Sequence, residues 1–317
     1  MPAADPARVG GDAEGRQDEL PDPEGPAWFR RALASPVEVG AVFVDGARIA
    51  FRRWGERGNP GVVLVHGGGA HSRWWDHVAP MLAGECGVAA LDLSGHGDSD
   101  RRETYSFAKW ASEILAVAEQ ATGPEAPVVV AHSMGGFAAL KAAVEYGDMM
   151  KGVVVIDSPV REPSPEEEIA DARLAFGPLR LYPSAREALA RFHLVPDQPS
   201  SLPYVMRHVA LTSLRQVQGG WTWKFDPAFS SHREDPLKPE ALARVSCRVA
   251  LLRAEFGLVT PDIGTFMYER LGRNTPVVEI PLAYHHVMLD QPLSLVTAIR
   301  TLLADWRHSS AAPPDRA

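Results

Sequence analysis

Cysteine is scarce, with only Cys86 and Cys247 in a chain of 317 residues. They form no CxxC pair, so a disulfide framework and a cysteine metal site are both excluded, and two small buried apolar residues in a reducing compartment are expected. Long hydrophobic runs are also missing: no stretch approaches the ~18 apolar residues of a membrane span. The N-terminal segment MPAADPARVGGDAEGRQDELPDPEGP has neither the basic start nor the apolar run of a signal peptide. A cytoplasmic protein without a membrane span is therefore expected. A basic excess is lacking too. Lys and Arg number 32 against 40 Asp and Glu, a net charge of -8, which offers nothing to a phosphate backbone and excludes nucleic acid as the expected partner. No G-x-x-x-x-G-K-[ST], G-x-G-x-x-G or H-E-x-x-H occurs, so neither a nucleotide loop nor a metal site is indicated, and no cofactor is expected.

What is present is ordinary globular material, 45% hydrophobic and 23% charged. Residues 1–26 stand apart: seven acids and two bases among many Pro and Gly account for five of the eight net negative charges. Such a segment cannot bury enough apolar surface to offset its ordering entropy, which predicts a disordered acidic tail. From Val42 onward short β-branched runs recur. AVFVDGARIAFRRW, with Asp45-Gly46 between two runs, predicts a hairpin. VVLVH (62–66), VAALDL (88–93), VVVAH (128–132), VVVID (153–157), RVALLR (248–253) and PVVEI (276–280) are continuously apolar, as strands buried on both faces of a parallel sheet must be. Helical patterns at 107–121 and 134–146 alternate with them, which predicts an α/β fold. The rhythm breaks over residues 158–246, where Pro, Arg, Leu and aromatics follow a helical period; a helical cap inserted between two core segments, 27–157 and 247–310, is expected there.

Three places carry chemistry. In VVVAHSMGGFAALKAA a strand runs through Ala131-His132-Ser133-Met134-Gly135 into an Ala-rich helix. This is a G-x-S-x-G nucleophile elbow with Ala131 in the first glycine's place, tolerable because the sharp turn requires only that the residues two before and two after the serine be small. The turn lifts the Ser133 hydroxyl out at the carboxyl end of the sheet and aims a helix N-terminus at developing negative charge. In VVLVHGGGAHSRWW a glycine loop follows the first buried strand, and the Gly68 and Met134 amides together would form an oxyanion hole. In AYHHVMLDQP either His285 or His286 comes late enough in the chain to act as general base. His66 and His132 lie inside turns whose backbone geometry is expected to matter more than their rings. Trp74 and Trp75 are expected to pack the core under the glycine loop, and Trp221, Trp223 and Phe225 of GGWTWKFDP to make a mainly apolar pocket.

VVLVHGGG, LDLSGHGDS, VVVAHSMGG, VVVIDSP and YHHVMLDQP, in this order and spacing, resemble the α/β-hydrolase fold superfamily over residues 42 to about 306. The resemblance implies a mostly parallel eight-stranded sheet flanked by helices, a serine hydrolase with a helical lid, and a Ser-His-acid triad. The family's His-x-x-x-x-[DE]-x-P ending, with Asp290 and Pro292, selects His285 over His286. Dehalogenase-like and epoxide-hydrolase-like members carry Asp at the elbow, and Ser133 argues against both. Members most often carry the acid in a Gly-x-x-Asp setting after the strand VALLR, but here the matching residues are Ala254, Glu255, Phe256 and Gly257. Two acids remain in permissible order, Asp157 at the end of VVVID and Glu255; Asp157 is expected to be the triad acid, because strand ends at the carboxyl edge of the sheet all approach the histidine loop, and Glu255 is the alternative. The resemblance implies hydrolysis of a small acyl substrate, by default a carboxylic ester, thioester or lactone. An amidase or carbon–carbon bond hydrolase on the same triad is the alternative, and a small-molecule receptor on this fold is the alternative of another class.

Overall fold

Asp45 and Gly46, with φ of 46° and 78°, close a two-residue turn between antiparallel β1 (Glu38–Val44) and β2 (Ala47–Trp54). Positive φ at both positions matches the right-handed strand twist, which is why an Asp-Gly pair sits there. The structure is a computed structural model that describes residues 25–56, 61–84, 86–123, 125–162, 177–231, 233–234 and 237–309. The acidic tail expected over 1–26 thus lies almost wholly outside the described residues.

β3 (Gly61–Val65), β4 (Gly87–Leu91), β5 (Val128–His132) and β6 (Gly152–Ile156) are buried at every position. With β7 (Arg248–Phe256) and β8 (Val277–Tyr284) they complete an eight-stranded sheet in the order β1-β2-β4-β3-β5-β6-β7-β8. All neighbours run parallel except β1 with β2 and β2 with β4. Alternate residues of β3 to β7 enter two separate apolar clusters. One, on the face of α2 (Phe107–Thr122) and α3 (Met134–Tyr146), includes Trp110, Ile114 and Leu140; the other, on the face of α1 (Ala27–Leu33) and α6 (Pro292–His308), includes Phe29, Trp75 and Trp306. Each fully buried side chain of this size contributes roughly 1.5–3 kcal/mol. Ser106 caps α2 by accepting the Lys109 N–H at 3.0 Å.

Between β6 and β7 the chain leaves the sheet. Its described part contains a short helix Ala185–Leu189 and α4 (Pro203–Thr212), as the helical period predicts, but also a hairpin of Leu214–Val217 and Gly220–Trp223 that departs from that expectation. The Gln218-Gly219-Gly220 segment turns the chain, with both glycines at positive φ, and the alternation of Trp221-Thr222-Trp223 then suits a strand. The insertion is fixed to the core on two sides. Buried Asp76 takes Arg52 (3.0 Å) and Arg73 (3.1 Å) from the core and His208 of α4 (3.0 Å). On the other side the Gly97 N–H donates to Lys224 O at 2.7 Å and the Asp226 N–H to Gly95 O at 2.7 Å, while Lys224 pairs with Asp98. α5 (Pro261–Arg270) follows β7. Among the described residues no helix is long and apolar enough to cross a membrane.

Candidate functional site

The carboxyl ends of β5, β6 and β7 and the loop after β8 meet at one point, where ligands gather in open α/β sheets. At the end of β5, Ser133 has φ 52° and ψ -121°, a conformation costly for any side chain but glycine and kept only where its surroundings enforce it. The enforcement is visible. Ser133 N–H donates to Ile156 O at 3.0 Å, Ser158 Oγ donates to Ser133 O at 2.8 Å, and Gly135 lies so close to β3 that a Cβ there would overlap His66 O. Ala131, fully buried between Val65 and Val155, takes the small-residue position on the other side of the turn. Met134 N–H is the first amide of α3, with no earlier turn of helix to accept from it.

Ser133 Oγ lies 2.9 Å from His285 Nε2, and His285 Nδ1 lies 2.7 Å from Asp157 Oδ2. Asp157, with φ 46°, turns off the end of β6 and also accepts the backbone N–H groups of Leu258 (2.7 Å), Val259 (3.1 Å) and Ala254 (3.4 Å). Burial alone would push its carboxyl up, but the His285 contact and the loop amides outweigh it and hold the group below the usual carboxylate range. An ionised Asp157 accepts only, so Nδ1 of His285 carries the proton and Nε2 is left to accept from the serine hydroxyl. Gly257, at the end of β7 where the family pattern puts its acid, is the residue whose Cβ would overlap the Asp157 carboxylate. Glu255 does not reach the histidine: its Oε2 accepts the Leu282 N–H at 2.7 Å. The geometry thus pairs Asp157, and not Glu255, with His285.

A model of the alpha/beta hydrolase family matches residues 62–299. The chain belongs to that family. Esterase Rv0045c of Mycobacterium tuberculosis is 28% identical over 268 residues, covering 82% of this chain and 88% of the relative. Lipase LipV of the same organism is 28% identical over 260 residues, covering 80% and 96%. Among solved structures, E-2-(acetamidomethylene)succinate hydrolase superposes with a TM-score of 0.75 at 23% identity, over 85% of this chain and all of the other, which shows the shared fold.

Two histidine rings in this α/β-hydrolase do more than the sequence reading allows, and the expectation that only their backbones matter is corrected. His66 Nε2 accepts the Leu93 N–H at 3.0 Å while Nδ1–H donates to Gly67 O at 2.7 Å. Burial lowers this ring to about 4, so it stays neutral and pins the glycine loop to the end of β4. The His132 ring, lowered to about 3 by burial and by neighbouring His285, donates Nε2–H to His285 O at 2.8 Å and so ties the elbow to the histidine loop. Neither ring has a sequence signal beyond its place in HGGG or AHS. His286 is turned away from Ser133, its Nδ1 and backbone N–H both meeting Gln198 Oε1 at 2.9 Å.

The motif residue Asp290 has a physical task. Its Oδ2 accepts the Tyr284 N–H at 2.7 Å and fixes the entry to the histidine loop, while Oδ1 is buried without a partner among the described residues. Burial raises its carboxyl to about 6, against the Tyr284 hydrogen bond, which lowers it. A raised folded-state value means that folding favours the protonated acid. That contribution is complete below the ordinary carboxylate value of ~3.9 and is lost as pH rises through about 6. Asp290→Asn is therefore expected to gain in melting temperature relative to the native protein as pH goes from about 4 to about 8. Calorimetry across that range checks this, and a pH-independent difference between the two proteins would overturn it.

A cavity of about 460 Å³ is bounded by Gly68 and Gly69 of the glycine loop and by His286, the residue after His285. Buried Trp74, Ser213 and His286 and half-buried Gly68 form one wall; aromatic residues of the insertion, Tyr182, Phe192, Trp223 and Phe225, form much of the rest, whereas Trp221, expected with them, does not line it. Trp74 thus both packs in the core and faces the cavity, whereas Trp75 is wholly buried. Cys86 is buried and Cys247 half-buried, and both are free thiols.

Proposed function

We infer that this α/β-hydrolase cleaves carboxylic esters, thioesters or lactones of small acyl substrates through an acyl-enzyme on Ser133. The observation that carries this reading is the unbroken line from Ser133 Oγ through His285 to Asp157, at 2.9 and 2.7 Å. His285 Nε2 takes the hydroxyl proton as Oγ attacks the carbonyl carbon, then gives it to the leaving alcohol or thiol; water, deprotonated by the same nitrogen, releases the acid. Asp157 holds the ring in the tautomer that accepts at Nε2 and stabilises the imidazolium. The N–H groups of Gly68 and Met134 receive the negative oxygen of each tetrahedral intermediate, and such donors are commonly worth 10²–10³ in rate each. The insertion over 158–246 serves as a cap that walls the acyl pocket with aromatic residues and limits water around the reacting carbonyl. Esterase and lipase activity in relatives at 28% identity supports the same bond class.

The test is turnover of short-chain 4-nitrophenyl esters beside the matching 4-nitroanilides. Ester cleavage that exceeds anilide cleavage is expected. A folded enzyme that leaves every ester intact while cleaving an anilide or a carbon–carbon bond would overturn the ester assignment; a protein that binds such compounds without turning any over would mark a receptor.

A further inference from the structure

We propose that the substrate of this site bears a carboxylate, held at the outer end of the cavity by Arg180 and Arg191; the proposal rests on the ester-hydrolase reading above. The cavity has two unlike walls. Trp74, Ser213 and His286 on the inner side are buried, at 4–6% exposure, whereas Arg180, Arg191 and His193 on the outer side are exposed. No Asp or Glu lines it among the described residues.

The two guanidinium groups differ in this from the cations on the other side of the cap. Arg215 and Lys224 are both paired with Asp98, and His208 with Asp76. Glu187, the acid nearest in sequence to Arg191, is engaged with Ser184, which caps the helix Ala185–Leu189. Arg180 and Arg191 have no carboxylate partner among the described residues. In a chain of net charge -8, two cations on a cavity wall whose described lining holds no Asp or Glu run against the molecule's overall sign, so the local potential favours an anion there.

Both side chains are mounted on fixed backbone. Tyr182 and Trp221 exchange two hydrogen bonds of 2.8 Å, and Thr222 Oγ1 donates to Arg180 O at 3.1 Å, so the segment bearing Arg180 is stitched to the hairpin. Arg191 N–H donates to Ala188 O at 2.9 Å, extending the short helix by a turn. Guanidinium forks match a carboxylate in two parallel hydrogen bonds, and the aromatic walls between them and Gly68 suit the apolar chain of an ester whose reacting carbonyl lies at the inner end.

Matched ester pairs test the proposal on both sides of the scissile bond. Mono-4-nitrophenyl adipate is compared with 4-nitrophenyl hexanoate for the acyl side, and 4-(carboxymethyl)phenyl butyrate with 4-ethylphenyl butyrate for the alcohol side. In one pair kcat/KM is expected to favour the anionic ester about 10-fold, mainly through KM, the ratio shrinking as salt is raised. In the Arg180→Gln, Arg191→Gln double variant that ratio should fall to about 1. Equal rates in both pairs, or a preference that survives in the double variant, would overturn the proposal while leaving ester hydrolysis intact. Calorimetric titration of Ser133→Ala with the same adipate hemi-ester reads the arginine subsite without chemistry. Binding that is lost when both arginines are replaced supports it even should turnover fail, and undiminished binding without them refutes it.

Discussion

Ser133→Ala is expected to lose at least about 10⁴ in kcat while remaining folded and able to bind substrate. The size follows from the proposed division of labour: without Oγ there is no acyl-enzyme, and what is left comes from binding and the oxyanion donors alone. Folding should survive, because the strained φ of 52° is imposed by the Ile156 and Ser158 contacts to the Ser133 backbone and not by its hydroxyl. A fluorophosphonate should modify Ser133 of the native protein and nothing in the variant, as read by peptide mass spectrometry. Label on another residue, or an alanine variant with native turnover, would remove Ser133 from the mechanism.

Asp157→Asn is the second large effect, expected to cost up to about 10⁴ in kcat, whereas Glu255→Gln should change it less than about 3-fold. Asparagine keeps the shape of Asp157 but turns an acceptor-only group into one with an N–H pair, so His285 can be held in the tautomer that presents a proton, not a lone pair, to Ser133. The backbone N–H groups of Ala254 in β7 and of Leu258 and Val259 in the following loop converge on the carboxylate as well, and the amide side chain cannot satisfy them equally. Glu255 keeps its one contact in the glutamine form, because the side-chain carbonyl still accepts the Leu282 N–H. Steady-state kinetics on both variants, with circular dichroism to confirm folding, decides the matter. A crippled Glu255→Gln beside an active Asp157→Asn would reverse the assignment.

Much of this was legible in the sequence because the signals are local. Continuous apolar runs mark strands covered on both faces, and all six that were predicted fall within β3 to β8 or extend at most two residues past a strand end. The elbow is readable from five consecutive residues because its sterics are confined to them. The register of His285 against Asp290 is readable because that carboxylate closes on Tyr284, six residues earlier. What stayed hidden depends on contacts distant in sequence. The preference for Asp157 over Glu255 rests in the sequence on its strand-end position alone, since its contact is with a histidine 128 residues away, and the ring of His132 acts on a carbonyl 153 residues away. The hairpin at 214–223 escaped because its strands are four residues each, too short for alternation to stand out from the helical period before them.

Gly257 and Asp157 share one volume, and this couples two positions a hundred residues apart. A carboxylate restored at 257 would have to occupy space that Asp157 already fills, so a chain with both acids is overfilled and a chain with neither leaves His285 unsupported. With Asp157 in place, position 257 has room for no side chain, so the two strand ends offer one seat for a carboxylate between them.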